Sequence, residues 1–142
     1  MVDVEKVRAG IEALLQEIDL IITAQDFPAE LTGIADVGAA LRAMKETFRA
    51  TLVCAKLGEE GILSFTTGNE IRTYGFSVSV VDTTGAGDVF RGGFISGWLL
   101  GGPRAEVEDV LRYANATAAL KRRSLGARAG IPTREEVAQL LG

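Results

Sequence analysis

The first part of the chain alternates between helical and strand-like patterns of apolar positions. Apolar residues spaced by three and four positions predict a helix of about four turns with one apolar face. They are Val4, Val7, Ile11, Leu14, Leu15 and Ile18. Residues 20–22 form a short apolar run, which predicts a buried strand. A brief turn or helix then follows Phe27 and Pro28 and leads to Gly33.

A second pair of elements, a helix and then a strand, follows. Helical spacing over residues 37–48 predicts an amphipathic helix. Asp36 is its expected N-cap, because a carboxylate there accepts a hydrogen bond from a free backbone N–H. Residues 52–55 are continuously apolar, which is typical of a strand covered on both faces, as in parallel sheets. Helices that alternate with strands predict an α/β domain.

The middle of the chain has the pattern of a hairpin. Residues 62–65 and 71–74 flank Thr67-Gly68-Asn69, which is a turn signal. Two short runs around such a turn predict an antiparallel hairpin. Residues 77–81 alternate between polar and apolar side chains and predict one more strand.

Three helical patterns complete the chain, and they follow Gly87, Pro103 and Thr133. Thr133 and Glu136 have the spacing of a capping box, which predicts the start of the last helix. A basic cluster, residues 121–123, lies near the end of the second of these helices. Such a cluster can steer a polyphosphate, but solvated cations that complement the helix dipole are the more ordinary interpretation.

The composition narrows the possible chemistry. The 142 residues fit one domain and include no histidine, which excludes a Ser-His-Asp triad, a Cys-His pair and a histidine base. The single cysteine, Cys54, excludes an internal disulfide, and we expect it to be a small buried hydrophobe. The net charge of -4 argues against nucleic acid or an anionic membrane as a partner. No window approaches the roughly 18 apolar residues of a membrane span.

The glycine-bearing segment at residues 84–87 is the candidate for chemistry. It lies between a predicted strand and a predicted helix, an arrangement in which backbone N–H groups and the helix dipole converge on an anion. The Walker pattern is absent, and the dinucleotide pattern fails because its third glycine would fall on Phe90. Asp88 is placed to accept the proton of an attacking hydroxyl. These residues alone leave two interpretations open: an anion site, or a tight structural turn with Asp88 as an ordinary helix cap.

A family resemblance extends over nearly the whole chain. Residues 81–94, Val-Asp-Thr-Thr-Gly-Ala-Gly-Asp-Val-Phe-Arg-Gly-Gly-Phe, resemble the C-terminal signature of the PfkB/ribokinase family of carbohydrate kinases. Residues 57–61, Leu-Gly-Glu-Glu-Gly, are similar to that family's nucleotide-side turn. Residues 115–120, with the later segment 126–133, resemble its adenine-side helix and the loop that follows.

The resemblance implies a three-layer, ribokinase-like α/β fold with a mostly parallel sheet, an antiparallel hairpin addition and the nucleotide at the carboxyl ends of the strands. Residues 1–142 would be the C-terminal, nucleotide-binding and catalytic part of such a kinase domain. The family's N-terminal half, with an early glycine pair and the lid that receives the sugar, has no counterpart in the sequence. We expect a cytoplasmic protein, and a homo-oligomer if the face that this half would cover is exposed.

The resemblance also implies an activity and a set of site residues. The activity is transfer of the γ-phosphate of ATP to a hydroxyl of a sugar or sugar-like substrate. Asp88 would be the general base, and the amides of Gly85, Ala86 and Gly87 would form the anion hole. The residues expected to border the nucleotide are Lys56, Gly58, Gly61, Asn115 and Gly126. For Lys56 a solvated side chain is an equally good interpretation.

Two ions are implied besides the nucleotide. Mg²⁺ is expected with ATP, but the family's Asn and Glu positions for magnesium handling hold Ala24 and Phe27 here. A monovalent cation such as K⁺ would be held behind the anion hole by Asp82 and Thr84, with carbonyls from the loop around Gly126.

Two alternatives to a complete kinase remain. One is a nucleotide- or phosphate-binding fragment that is catalytically incompetent without the N-terminal half. The other is a purely structural or partner-binding domain, which would bind no nucleotide.

Overall fold

The computed structural model describes residues 1–142, apart from the side chain of Pro103. The strands are β1 Val2–Val4, β2 Leu20–Thr23, β3 Leu52–Lys56, β4 Ile62–Phe65 and β5 Glu70–Thr73. The helices are α1 Ile11–Leu15, α2 Phe27–Thr32, α3 Val37–Phe48, α4 Ala86–Gly101, α5 Val107–Lys121 and α6 Arg134–Leu141. Short 3₁₀ turns cover Gly58–Glu60 and Gly102–Arg104.

The strands form one mixed sheet in the order β1-β2-β3-β4-β5. The pairs β1–β2 and β2–β3 are parallel, and β3–β4 is antiparallel, with Val53 opposite Phe65. The predicted hairpin is formed by β4 and β5. Its turn is closed by the N–H of Thr66, which donates to the carbonyl oxygen of Asn69 at 2.9 Å. The sheet thus combines a parallel part with the predicted antiparallel addition.

The chain divides into two compact units, and the first comprises residues 1–58 and 62–72. Helix α3 packs against β3 and β4, and it begins as predicted, because the Asp36 carboxylate accepts a hydrogen bond from the N–H of Ala39 at 2.8 Å. Residues 52–55 of β3 are all 0% exposed, which confirms the prediction of a strand covered on both faces. The core of this unit is apolar and includes Leu15, Ile21, Phe27, Leu41, Met44, Val53 and Leu63.

The second unit comprises residues 59–61 and 73–142. Helices α4 and α5 pack closely along each other. Gly93 permits this approach, since a Cβ there would lie only 2.9 Å from Thr117. Helix α6 packs against α5 and begins at the predicted capping box of Thr133 and Glu136. Within the part of the chain that the structure describes, none of the helices is long and apolar enough to cross a membrane.

The prediction of one long N-terminal helix is wrong. The structure has the strand β1 there, followed by a helix of only five residues, α1. Val2–Val4 pairs with Ile21–Thr23, so Val4 lies in the sheet although its spacing from the later apolar residues also suits a helix. Gly10 precedes α1 with a φ of 84°, a left-handed conformation that an α-helix cannot contain.

The strand predicted over residues 77–81 is also absent from the described structure. Val80 and Val81 are 43% and 61% exposed. An alternating pattern makes a strand only where a neighbouring strand offers a ladder of hydrogen bonds. Here the N–H of Val81 instead donates to the carbonyl oxygen of Arg122, at the end of α5, at 2.7 Å.

Candidate functional site

The turn at residues 82–88 leads into α4 and has a defined backbone geometry. Gly85 is the N-cap of α4 with a φ of 78°, a conformation that residues other than glycine rarely adopt. The N–H of Ala86 donates to the carbonyl oxygen of Thr83 at 3.0 Å, which closes the turn. A Cβ at Gly85 would lie 3.0 Å from the Cβ of Ala127, so this position lies directly against the loop after α5. Backbone conformation and close packing therefore both favour glycine here.

Asp82 organises this turn from within. Its carboxylate accepts a hydrogen bond from the N–H of Thr84 at 2.9 Å and another from the N–H of Gly126 at 2.7 Å. Hydrogen bonds from Thr84, then from Gly126, and the nearby charge of Lys121 lower the pKa of Asp82 from 3.8 to about 2. The structure thus brings together three of the predicted site residues, Asp82, Thr84 and Gly126.

The next feature is a buried ammonium group that the sequence interpretation missed. Lys121 is 0% exposed, so its expected solvation is wrong. Its Nζ donates to the carbonyl oxygen of Asp82 at 2.9 Å and lies 4.0 Å from the Asp82 carboxylate. A sequence signal did exist, because Lys121 continues the three- and four-residue spacing of Ala114 and Ala118 along the apolar face of α5.

The first turn of α4 presents backbone donors. Its helical hydrogen bonds begin with the N–H of Val89, which donates to the carbonyl oxygen of Gly85 at 2.9 Å. The N–H groups of Gly87 and Asp88 precede this bond and have no acceptor inside the helix. The positive end of the helix dipole lies at the same place. Two donors and a partial positive charge are what an anion requires of a backbone site.

Asp88 carries its carboxylate beside these amides. Its side chain is 70% exposed and forms an ion pair with Arg91, one turn further along α4. The carboxylate also lines a cavity of about 470 Å³ within the second unit. The other residues around the cavity come from α4, α5, the segment that follows α5, and α6, and include Gly92, Ser96, Tyr113, Thr117, Arg128 and Arg134. An accessible carboxylate at such a cavity is able to accept a proton from a bound hydroxyl compound.

The glycines expected at the nucleotide differ in what surrounds them. Gly58, in the first unit, has a φ of 63°, and a Cβ there would meet no atom within 4 Å. A Cβ at Gly61, in the second unit, would overlap the carbonyl oxygen of Thr73. Gly61 is therefore required by the close approach of its own chain. Gly126 has a φ of 82° and open space beside it, and its N–H is the one that binds Asp82.

Two polar residues expected at the nucleotide have partners inside their own units. Asn115 is 8% exposed, and its Nδ2 donates to Thr73 Oγ1 at 3.1 Å. Lys56 Nζ donates to both carboxylate oxygens of Asp3, at 2.6 and 2.8 Å. The side chains of Lys56 and Asp3 are only 20% and 1% exposed. Lys56 is thus neither a solvated lysine nor an unpaired positive charge.

The structure offers few side chains for a metal ion. Among the described residues, no group of three or more carboxylate or cysteine side chains is arranged to hold one. Phe27, at one of the magnesium positions implied by the resemblance, is 0% exposed and belongs to the core of the first unit. An apolar side chain in the core supplies no oxygen ligand for Mg²⁺.

The sequence matches a family model and a curated relative. The model described as "pfkB family carbohydrate kinase" matches residues 2–134. A ribokinase from Haemophilus influenzae is 35% identical over 135 residues, which make up 92% of this chain and 43% of that protein. Both matches cover the 82–88 turn and the helix that follows it.

Solved structures share the fold. A ribokinase from Thermotoga maritima superposes with a TM-score of 0.79 at 31% identity, over 92% of this chain and 44% of that one. An Arabidopsis thaliana ribokinase complexed with ribose and ATP gives a TM-score of 0.83 at 29% identity, over 99% of this chain and 47% of that one. The chain thus spans less than half the length of these relatives, and the predicted ribokinase-like α/β fold is confirmed. The chain belongs to the PfkB family of carbohydrate kinases.

Proposed function

We propose that residues 1–142 are the C-terminal, nucleotide-binding and catalytic part of a kinase that transfers the γ-phosphate of ATP to a hydroxyl of a sugar or sugar-like substrate. One observation carries the proposal: the exposed carboxylate of Asp88 lies on the first turn of α4, beside backbone amides that have no acceptor in the helix. This arrangement supports the proposal because a base at Asp88 would then lie next to an anion site formed by these amides.

The division of roles follows from the chemistry of phosphoryl transfer, which depends on positioning and on charge stabilisation. The amides around Gly85, Ala86 and Gly87 would stabilise the charge that develops on the transferred phosphoryl group. The N–H of Ala86 already binds Thr83, so among these three amides the donor of Gly87, which has no acceptor inside the helix, would contribute most, together with the N–H of Asp88. Asp88 would accept the proton of the attacking hydroxyl, and Arg91 would hold its carboxylate in place.

The nucleotide and the acceptor are inferred from the relatives. The curated relative from H. influenzae is a ribokinase, and the A. thaliana ribokinase structure contains ribose and ATP. ATP and a sugar are therefore the ligands proposed for this chain, and Mg²⁺ is proposed with them as the ion that accompanies ATP in phosphoryl transfer. Lys56, Gly58, Gly61, Asn115 and Gly126 remain proposed neighbours of the nucleotide. The polar groups of Lys56 and Asn115 already have protein partners, Asp3 and Thr73.

The test compares two matched aspartates. Asp88 and Asp109 are both the third residue of a long helix, in α4 and α5, and both are exposed. We expect Asp88→Asn to lower the rate of sugar-dependent ADP formation by about 100-fold or more, because a general base is lost. Asp109→Asn should keep the wild-type rate. Turnover of Asp88→Asn within a few-fold of wild type would remove Asp88 from the mechanism.

A second candidate function is nucleotide or phosphate binding without turnover. Its support is that the chain covers only 43% of the H. influenzae ribokinase. Calorimetry with a non-hydrolysable ATP analogue and a panel of sugars separates the two candidates. Saturable binding of the analogue, together with no turnover of ATP itself on any sugar, would favour the binding function. Absence of nucleotide binding would exclude the kinase.

A further inference from the structure

Lys121 places a buried positive charge behind the 82–88 turn. The side chain is the last residue of α5 and is 0% exposed. Lysine is almost never fully buried unless its charge is compensated, because removing an ammonium group from water is expensive. Its partners here are the carbonyl oxygen of Asp82 at 2.9 Å and the carboxylate of the same residue at 4.0 Å. The ammonium is thus directed at the residue that organises the turn.

The oxygens of Asp82 are already occupied by donors from the chain. One carboxylate oxygen accepts the N–H of Thr84, the other accepts the N–H of Gly126, and the carbonyl oxygen accepts Lys121. A K⁺ ion bound to the same carbonyl oxygen would lie within a few ångströms of the ammonium, and two like charges at that distance repel each other. These residues therefore do not fit a resident monovalent cation in addition to Lys121.

We propose that the ammonium group of Lys121 supplies the positive charge that the family resemblance assigns to a monovalent cation, so that this chain needs no K⁺. Lys121 is a positioning residue: it fixes Asp82, and Asp82 fixes the amides of Thr84 and Gly126 on either side of the turn. The role of Lys121 in catalysis rests on the proposed function. Its replacement of a monovalent cation does not, because that part of the proposal concerns only how the 82–88 turn is stabilised.

The link from Lys121 to the anion site is short. Gly126 precedes Ala127, which lies against Gly85 at the start of α4. Movement of Asp82 would therefore shift the loop on which Gly85 packs, and with it the first-turn amides.

The first experiment uses the wild-type chain. Thermal unfolding and binding of the ATP analogue are measured in KCl, NaCl and choline chloride at equal ionic strength. We expect melting temperatures that agree within about 1 °C, because a cation that does not bind the native state cannot stabilise it. The affinity for the ATP analogue should likewise be the same in the three salts. Stabilisation by several degrees that is specific to K⁺ would overturn the proposal.

The second experiment removes the ammonium. Lys121→Ala leaves a space beside Asp82, and we expect its melting temperature to fall by about 5–10 °C in choline chloride. K⁺ or NH₄⁺ should restore a large part of this loss, since either can enter the space and replace the charge. Lys121→Met fills the space without a charge, so K⁺ should not rescue it.

The matched control is Lys45→Ala, because Lys45 is also in the last turn of a helix, α3, but is not fully buried. Its melting temperature should not respond to K⁺. Lack of rescue of a folded Lys121→Ala by both K⁺ and NH₄⁺ would contradict the proposal. If this variant does not fold in any salt, the wild-type comparison still decides. Absence of analogue binding in every salt would refute the proposed function and leave the melting test of Lys121 intact.

Discussion

The environment of Cys54 illustrates how a single side chain responds to its strand. Cys54 lies in β3 and is 0% exposed, as its apolar neighbours predicted. Burial, and then the charge of Asp3, raise the pKa of its thiol from 9.0 to about 12, although Lys56 acts in the opposite direction. At neutral pH the native thiol is therefore protonated and shielded from solvent.

This environment predicts an unreactive thiol. At pH 8.5 we expect a disulfide reagent such as DTNB to modify native Cys54 at least about 100-fold more slowly than the urea-unfolded chain, because only the thiolate attacks. Raising the pH towards 9 should increase the rate at which DTNB modifies the unfolded chain, whereas modification of the native chain should stay slow. A Cys54→Ala, Ser79→Cys variant, whose thiol replaces an exposed side chain, is the positive control. Fast modification of native Cys54 would contradict the burial.

At the residue scale, the sequence predicted local contacts better than distant ones. Asp36 and Thr133 were predicted as helix caps, because a cap is formed by residues two or three positions apart. Lys121 was misinterpreted, because its partner Asp82 lies far away in the sequence and its burial depends on tertiary packing. For Lys56 the sequence leaves a phosphate contact and a solvated side chain open. It does not reveal the actual partner, because Asp3 is brought to Lys56 only by the pairing of β1, β2 and β3.

At the element scale, the packing of α4 on α5 depends on where small residues lie. Gly93 faces α5, and a Cβ there would lie 2.9 Å from Thr117 and 3.1 Å from the Cα of Ala114. Gly92 is the adjacent position, and a Cβ there would meet no atom within 4 Å. The two glycines thus differ in packing although they occupy the same helix.

This difference predicts opposite effects of one substitution. Gly93→Ala should lower the free energy of unfolding by about 1–3 kcal/mol, because the added methyl overpacks the contact with Thr117. Gly92→Ala should raise it by up to about 1 kcal/mol, because alanine is the better helix former. Urea denaturation of both variants measures these changes. Equal effects of the two substitutions would show that α4 and α5 do not pack in this way.

Among the elements, the sequence predicted α3 to α6 and β2 to β5 from periodicity, turn signals and caps, left a turn or a helix open at α2, and failed at two places. The apolar residues from Val4 to Ile18 suit a helix by spacing, yet β1 pairs with β2 and Gly10 interrupts the helix. Residues 77–81 suit a strand, yet they lack a neighbouring strand in the described structure. In both cases the outcome depends on pairing between distant segments, which a local pattern does not contain.

At the scale of the whole molecule, an apolar face of α4 remains open in the single chain. Ile95 and Leu99 are four residues apart, so they share one helix face, and they are 47% and 74% exposed. Leu100 is 46% exposed beside them. Exposed neighbouring apolar side chains favour association between copies of a protein. If the protein forms a homo-oligomer, we therefore expect this face of α4 to lie in the interface.

We expect the purified chain to self-associate as its concentration rises. Leu99→Glu should weaken this association by about tenfold or more, because a charge replaces an exposed leucine that the contact between copies would bury. Sedimentation velocity over a concentration series measures the effect. Leu125→Glu is the control, since Leu125 is equally exposed, at 77%, but lies in the loop after α5. Association that is unchanged in Leu99→Glu would place the interface elsewhere.

The hydrogen bonds of Asp82 have a consequence for how any anion would bind. Thr84, Gly126 and Lys121 hold the 82–88 turn in place by contacts within the protein alone. The loop therefore loses its conformational entropy when the protein folds, and it would lose little more when a ligand binds. If the turn binds an anion as proposed, it would do so as a preorganised site, and its affinity should depend on the rigidity of residues that never touch the ligand.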